Sequence, residues 1–166
     1  MKVLLIIPIA TLSLFLLFVH IKYGMTYSIS ASYRYLQGWE KVLFTLTMWM
    51  VAIPVMIVGI TAVPDDYTEL LFFLSGAGIC LVGASPAYWS GKMELTAHLI
   101  GSYGGIGFGM AACVLYLFSP LTVILVALYV AFVASQMFSK KLQFQNYVYW
   151  LEVVALIIIS SILYFS

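Results

Sequence analysis

Few residues of this chain can do chemistry, and their spacing narrows what that chemistry is. Glu94 and His98 stand four apart, which puts them on one face if the segment is helical. A carboxylate and an imidazole so placed can orient one another, share a metal ion, or work as an acid–base pair. His20 is the other of two histidines. A catalytic zinc site usually takes three protein ligands plus water, so His20, His98 and Glu94 reach that number only if distant segments meet. The expectation is therefore no metal and no other cofactor, with zinc as the alternative and His98 as a hydrogen-bonded histidine near an interface.

The stretch Tyr27-Ser28-Ile29-Ser30-Ala31-Ser32-Tyr33-Arg34 carries three hydroxyls at a spacing of two, followed by an arginine. Such a run can cap a helix or cradle a lipid phosphate. As a nucleophile site it has no neighbouring histidine in sequence, and His98 can reach it only in space. Glu152 lies about one turn into an apolar stretch. A charge at a helix centre costs about 2.5–3.5 kcal/mol on insertion scales and less near an interface. Glu152 is expected to face other helices, line a wet cavity, or snorkel to headgroups. The candidate ligand-binding set is His20, Ser28, Ser30, Arg34, Glu94, His98 and Glu152, with no catalytic residue assigned.

What must position these groups is set by a run without charge. Residues 95–139 contain no Asp, Glu, Lys or Arg. One helix of that length would extend about 67 Å at 1.5 Å per residue, and a hydrocarbon core of roughly 30 Å needs about 20 apolar residues. The run is two crossings joined at Ser119–Pro120, with Ser119 as N-cap and Pro120 at the first helical position. Only 8% of the 166 residues are charged, where a soluble domain carries about 25%. A net charge of +1 gives no electrostatic case for nucleic acid. Cys80 and Cys113 sit in apolar runs and read as small buried hydrophobes.

The charge-poor stretches divide into spans at about 3–21, 42–62, 69–89, 96–118, 120–138 and 147–165. No small-x-small site precedes His20 and Lys22, so the first stretch is expected to be a retained span rather than a cleaved signal. The predicted fold is all-α, a single six-helix transmembrane bundle over 1–166. Six of the seven basic residues (Lys22, Arg34, Lys41, Lys92, Lys140 and Lys141) fall on the side opposite the termini. The positive-inside rule makes that side cytoplasmic and the chain N-out, C-out. Pro64-Asp65-Asp66 is a turn on the outer side, and Pro54 lies inside the second span and is expected to kink it.

Association in lipid rests on close backbone approach. The fourth span offers Ala97, Gly101, Gly105, Gly109 and Cys113 at a strict spacing of four. The third offers Gly76, Cys80, Gly83, Ala84 and Ala87, and the fifth Ala127, Ala131 and Ser135. Packing within the bundle is the expected use, and a homo-oligomer through the same faces the alternative.

Ser28-Ile29-Ser30-Ala31, the following Tyr33, Lys41-Val-Leu-Phe44, Val82-Gly-Ala-Ser-Pro86 and His98 together resemble the first part of a family of uncharacterised bacterial six-span membrane proteins. Its members often carry a Ser-Ile-Ser-Ala motif after the first span. The likeness covers roughly residues 25–105 and implies architecture and a bacterial inner-membrane location rather than an activity. A more distant likeness is to membrane hydrolases of the alkaline ceramidase and adiponectin receptor type, which use intramembrane zinc. The chain departs from them in its histidine set and in lacking a seventh span.

Three functions are expected, in this order. The first is a noncatalytic protein binding a membrane lipid or other amphiphile in a polar pocket at the cytoplasmic end, with Arg34 on the headgroup. The second is a metal-dependent lipid hydrolase using His98, His20 and Glu94 as ligands, with Ser30 or a metal-bound water as nucleophile. The third is a small proton-coupled transporter with Glu152 in its path.

Overall fold

The computed structural model describes residues 2–63, 65–117, 119–138 and 146–165. Its long helices are α1 (Ile6–Tyr23), α2 (Trp39–Ala62), α3 (Asp66–Ala84), α4 (Lys92–Tyr116), α5 (Pro120–Phe138) and α6 (Tyr147–Phe165). Short 3-10 helices cover Lys2–Leu5 and Ser30–Arg34. Each long helix is sufficiently extended and apolar to cross a membrane. The expected turn proline Pro64 and the basic pair Lys140–Lys141 lie outside the described residues.

Local chemistry sets the helix ends. The Asp65 side chain accepts the amides of Tyr67 (3.1 Å) and Thr68 (3.3 Å), so α3 starts three residues before the span expected at 69. It also stops at Ala84 rather than 89, because Pro86 disfavours a helical Ser85 and brings no donor of its own. The helices α2 and α4 begin earlier than the spans expected at 42 and 96, and so take in Glu40, Lys41, Lys92 and Glu94. Ser119 caps α5 as the sequence predicts, its hydroxyl oxygen accepting the Thr122 amide at 3.2 Å.

The tightest packing joins α3 to α4. A Cβ added at Gly78 would come within 2.6–2.8 Å of the backbone at Gly101 and Gly105. The Ser75 hydroxyl donates to the Gly105 carbonyl at 2.6 Å. The α4 stripe Gly101–Gly105–Gly109–Cys113 is buried as expected, but its α3 partner is the Ser75, Gly78 and Ile79 face. The expected α3 face turns to α2 instead. Gly76 lies against Met56, Gly83 against Met48 and Trp49, and the carbonyls of Gly83 and Cys80 accept from Thr45 (3.0 Å) and Trp49 (3.2 Å). Both faces of α3 carry small residues, so periodicity does not say which neighbour each meets.

Helix α5 also departs from the sequence expectation. It packs through Val126, Tyr129 and Val133 against α4 and α6, which leaves Ala127 and Ala131 exposed. The Tyr129 hydroxyl donates to the Leu151 carbonyl at 3.2 Å, and a large aromatic buries more area than the alanine stripe.

One apolar cluster gathers Phe15, Val19, Ile29, Leu36, Phe44, Met48, Val82 and Val153. A second gathers Leu5, Val58, Val63, Phe72, Cys113, Ile159 and Leu163. The first cluster underlies one end of the bundle, where α1 and α3 finish and α2, α4 and α6 begin. All seven candidate residues belong to that end.

Candidate functional site

The segment after α1 is built by its own serines. The Ala31 amide donates to Ser28 Oγ at 2.9 Å, and Ser32 Oγ donates to the Ile29 carbonyl at 2.6 Å. Thr26 Oγ1 donates to the Ser28 carbonyl at 2.8 Å. Short hydroxyl side chains compete for backbone groups in this way at turns and helix starts. The Ser-Ile-Ser-Ala stretch thereby opens the 3-10 helix Ser30–Arg34, with Thr26, Ser28, Ser30 and Ser32 buried.

Glu152 of α6 meets this turn. Its Oε2 accepts the Ile29 amide at 2.6 Å. Glu152 also lines a cavity of about 40 Å³, the size of about three or four waters at about 10–15 Å³ each. Ser30 and Ser102 are the hydroxyl residues of its wall, and Met48, Ile79, Val82 and Leu156 are among its apolar ones. Ser28, Ser30 and Glu152 are thus brought together.

Arg34 belongs to a second cluster. Its guanidinium carbon stands 4.8 Å from the centre of the Trp89 ring, and Lys41 Nζ lies 5.3 Å from the centre of the Tyr33 ring. The Tyr33 and Trp89 rings are 6.0 Å apart, and Trp89 and Tyr88 5.0 Å. Two cations are therefore held on one aromatic ladder, each gaining about 0.5–1 kcal/mol at an exposed site. Neither is spent on a carboxylate, since the salt bridge found among the described residues joins Lys22 to Glu40.

His98 anchors the ladder from α4. It is buried, its Nδ1 hydrogen bonds to the Ser85 carbonyl at 3.0 Å, and its ring lies 4.6 Å from Tyr88. Donation to a carbonyl places a proton on Nδ1. His98 thus joins Arg34 through Tyr88 and Trp89 rather than joining Glu94. Glu94 is half-buried and folds back against Gly91, the N-cap of α4; an acid in the first turn complements the helix dipole. His20 is exposed on the last turn of α1. Among the described residues no three His, Cys, Asp or Glu side chains gather to hold a metal ion, so the set His20, Glu94 and His98 is not assembled.

Sequence reasoning passes over Glu40, the most buried charged side chain at this end (3% exposed). It accepts from Tyr23 at 2.6 Å, from the Gln37 amide at 3.0 Å and from Lys22, tying the end of α1 to the start of α2. The signal available was a glutamate three residues after Gln37 and ahead of an apolar run, the spacing by which a first-turn acid reaches back to a preceding amide. Tyr27 adds a link to α6: its carbonyl accepts the Tyr149 amide at 3.0 Å. The contact of its hydroxyl with Tyr147, 3.5 Å away, pushes the phenol up to about 12.

Chemically, the arrangement offers two displayed cations, a carboxylate at a small cavity, and a turn of buried hydroxyls between them. Compared with known proteins, the chain matches no family model, no curated protein and no solved structure.

Proposed function

We propose that this is an integral protein of a bacterial inner membrane, crossing six times with both termini outside, that binds an anionic amphiphile at its cytoplasmic end. The single observation that carries this reading is the pair Arg34–Trp89 and Lys41–Tyr33: two cations without carboxylate partners among the described residues, set on one aromatic ladder. Guanidinium pairs with a phosphate through two parallel N–H donors, and stacking on indole fixes its plane beforehand. Membrane lipids supply the phosphate, and the apolar helix faces beside the ladder take the acyl chains. Glu152 and Ser30 give the neighbouring cavity its polar wall. The topology is read from Lys22, Arg34, Lys41 and Lys92, which share one end of the bundle.

The test is lipid retention. Protein extracted from a mixed membrane is expected to keep lipids with an anionic headgroup in preference to zwitterionic ones. Arg34→Ala and Lys41→Ala are each expected to lower that preference about fivefold, the equivalent of about 1 kcal/mol per basic residue near an anionic surface. Retention unchanged in the double variant overturns the reading. Thiol labelling of an introduced cysteine beside Asp66, expected only from the outer face, tests the orientation.

A further inference from the structure

Residues 25–37 run between Gly24 (φ 77°) and Gly38 (φ 51°). A Cβ at either position would meet nothing within 4 Å, so backbone conformation rather than space calls for glycine at both ends. Between them the chain satisfies its own polar groups through Thr26, Ser28 and Ser32. This segment is nevertheless sunk into the bundle, with Ser28–Ser32 and Leu36 buried, and Ile29 and Ser30 lie over the cavity as part of its wall. Apart from Gln37 beside the Gly38 hinge, whose amide Glu40 of α2 accepts at 3.0 Å, its hydrogen bonds to the helices run to α6: Glu152 accepts the Ile29 amide, the Tyr149 amide donates to the Tyr27 carbonyl, and the Tyr27 and Tyr147 hydroxyls meet. A unit bonded mostly to itself and held by a few outward bonds opens at lower free energy than the helices around it.

We infer that residues 25–37 are a plug, hinged at Gly24 and Gly38, whose seat over the cavity is latched by ionised Glu152 and released when that carboxylate takes up a proton. A charge-assisted hydrogen bond is about twice as strong as a neutral one, so adding the proton at Glu152 weakens the hold on the Ile29 amide. The groups facing Glu152 leave it the task alone. The helices α2, α3 and α4 present Met48, Ile79, Val82, Gly101, Ser102 and Ile106. Tyr149 of its own helix, Tyr129 of α5 and Tyr27 of the plug are phenols, which titrate far above a carboxylate. With the plug lifted, the cavity between α4 and α6 communicates with the aqueous side at this end, and proton uptake there controls access.

Hydrogen exchange of the whole protein in nanodiscs tests this, with each amide corrected for its intrinsic pH dependence. In the wild type, protection over residues 25–37 is expected to fall as pH falls, while α3 and α4 stay protected. In Glu152→Gln the same amides are expected to exchange about tenfold faster than wild type at high pH, with no further dependence on pH. A flat wild-type profile overturns the inference, and so does a pH dependence that survives in Glu152→Gln. If that variant also loses protection in α3 and α4, the wild-type series decides alone. Arg34 lies within this segment, so the series is run in zwitterionic nanodiscs, where the latch is read apart from anionic headgroup binding.

Discussion

Glu152 Oε2 accepts the backbone amide of Ile29 at 2.6 Å, joining two residues 123 positions apart in the chain. A side chain that sequence marks as costly in an apolar helix is thereby matched to backbone donors that need a partner where the chain leaves α1. The match explains how two individually unfavourable features coexist: each satisfies the other's unmet polar group.

Removing the acceptor leaves the Ile29 amide buried and unbonded. Glu152→Ala is expected to cost about 1–3 kcal/mol, with Glu152→Gln retaining part of it through its amide oxygen. Thermal unfolding in detergent reads the order wild type, Gln, Ala. Equal midpoints for all three would show that Glu152 latches nothing.

Trp89 supports Arg34 without touching a headgroup by charge. Trp89→Ala is expected to reproduce most of the loss of anionic-lipid preference seen in Arg34→Ala, because an unstacked guanidinium loses its fixed plane. Trp89→Phe should retain part of the preference. Lipid analysis after purification decides it, and a wild-type preference in Trp89→Ala would make the ring irrelevant.

His98→Ala removes the hydrogen bond to Ser85 and the contact with Tyr88. A loss of about 1–3 kcal/mol is expected from the unpaired carbonyl and the space left. His98→Asn, which keeps a donor, should recover part of it. Stability unchanged in His98→Ala would mean that the 85–89 corner is held by other contacts.

The α3–α4 contact allows a comparison between glycines. Gly78→Ala places a methyl against the backbone of Gly101 and Gly105 and is expected to destabilise by about 1–3 kcal/mol. Gly107→Ala meets nothing within 4 Å and should be neutral or gain up to about 1 kcal/mol of helix propensity. Unfolding midpoints that fall equally for both would contradict the packing of the Gly78 face of α3 on α4.

Asp65 gives a pH dependence of known sign. Hydrogen bonds from Thr68 and the first amides of α3 hold its carboxyl below the usual range. A depressed folded value means that the charge stabilises the fold above the unfolded value, and that this is lost as pH falls through the folded one. Asp65→Ala is therefore expected to lower the melting temperature at neutral pH, with the gap to wild type closing in acid. A gap independent of pH would show that the cap acts without its charge.

The sequence by itself determined the six apolar helices, the Ser119 cap and the buried α4 glycine stripe, because these depend on composition and spacing within one segment. Hydropathy reports solvent, and a cap reports the residues beside it. It also singled out Glu152 and the serine run as groups in need of partners. Only the tertiary structure decided who those partners are: Ile29 for Glu152, Trp89 for Arg34, Ser85 for His98, and Lys22 and Tyr23 for Glu40. The physical reason is that both faces of α3 and several faces of α4 and α5 are equally apolar or equally small. Helix rotation was then settled by where Tyr129, Ser75 and Gly78 pack best, and that choice carried Glu94 and His98, four residues apart, into separate surroundings.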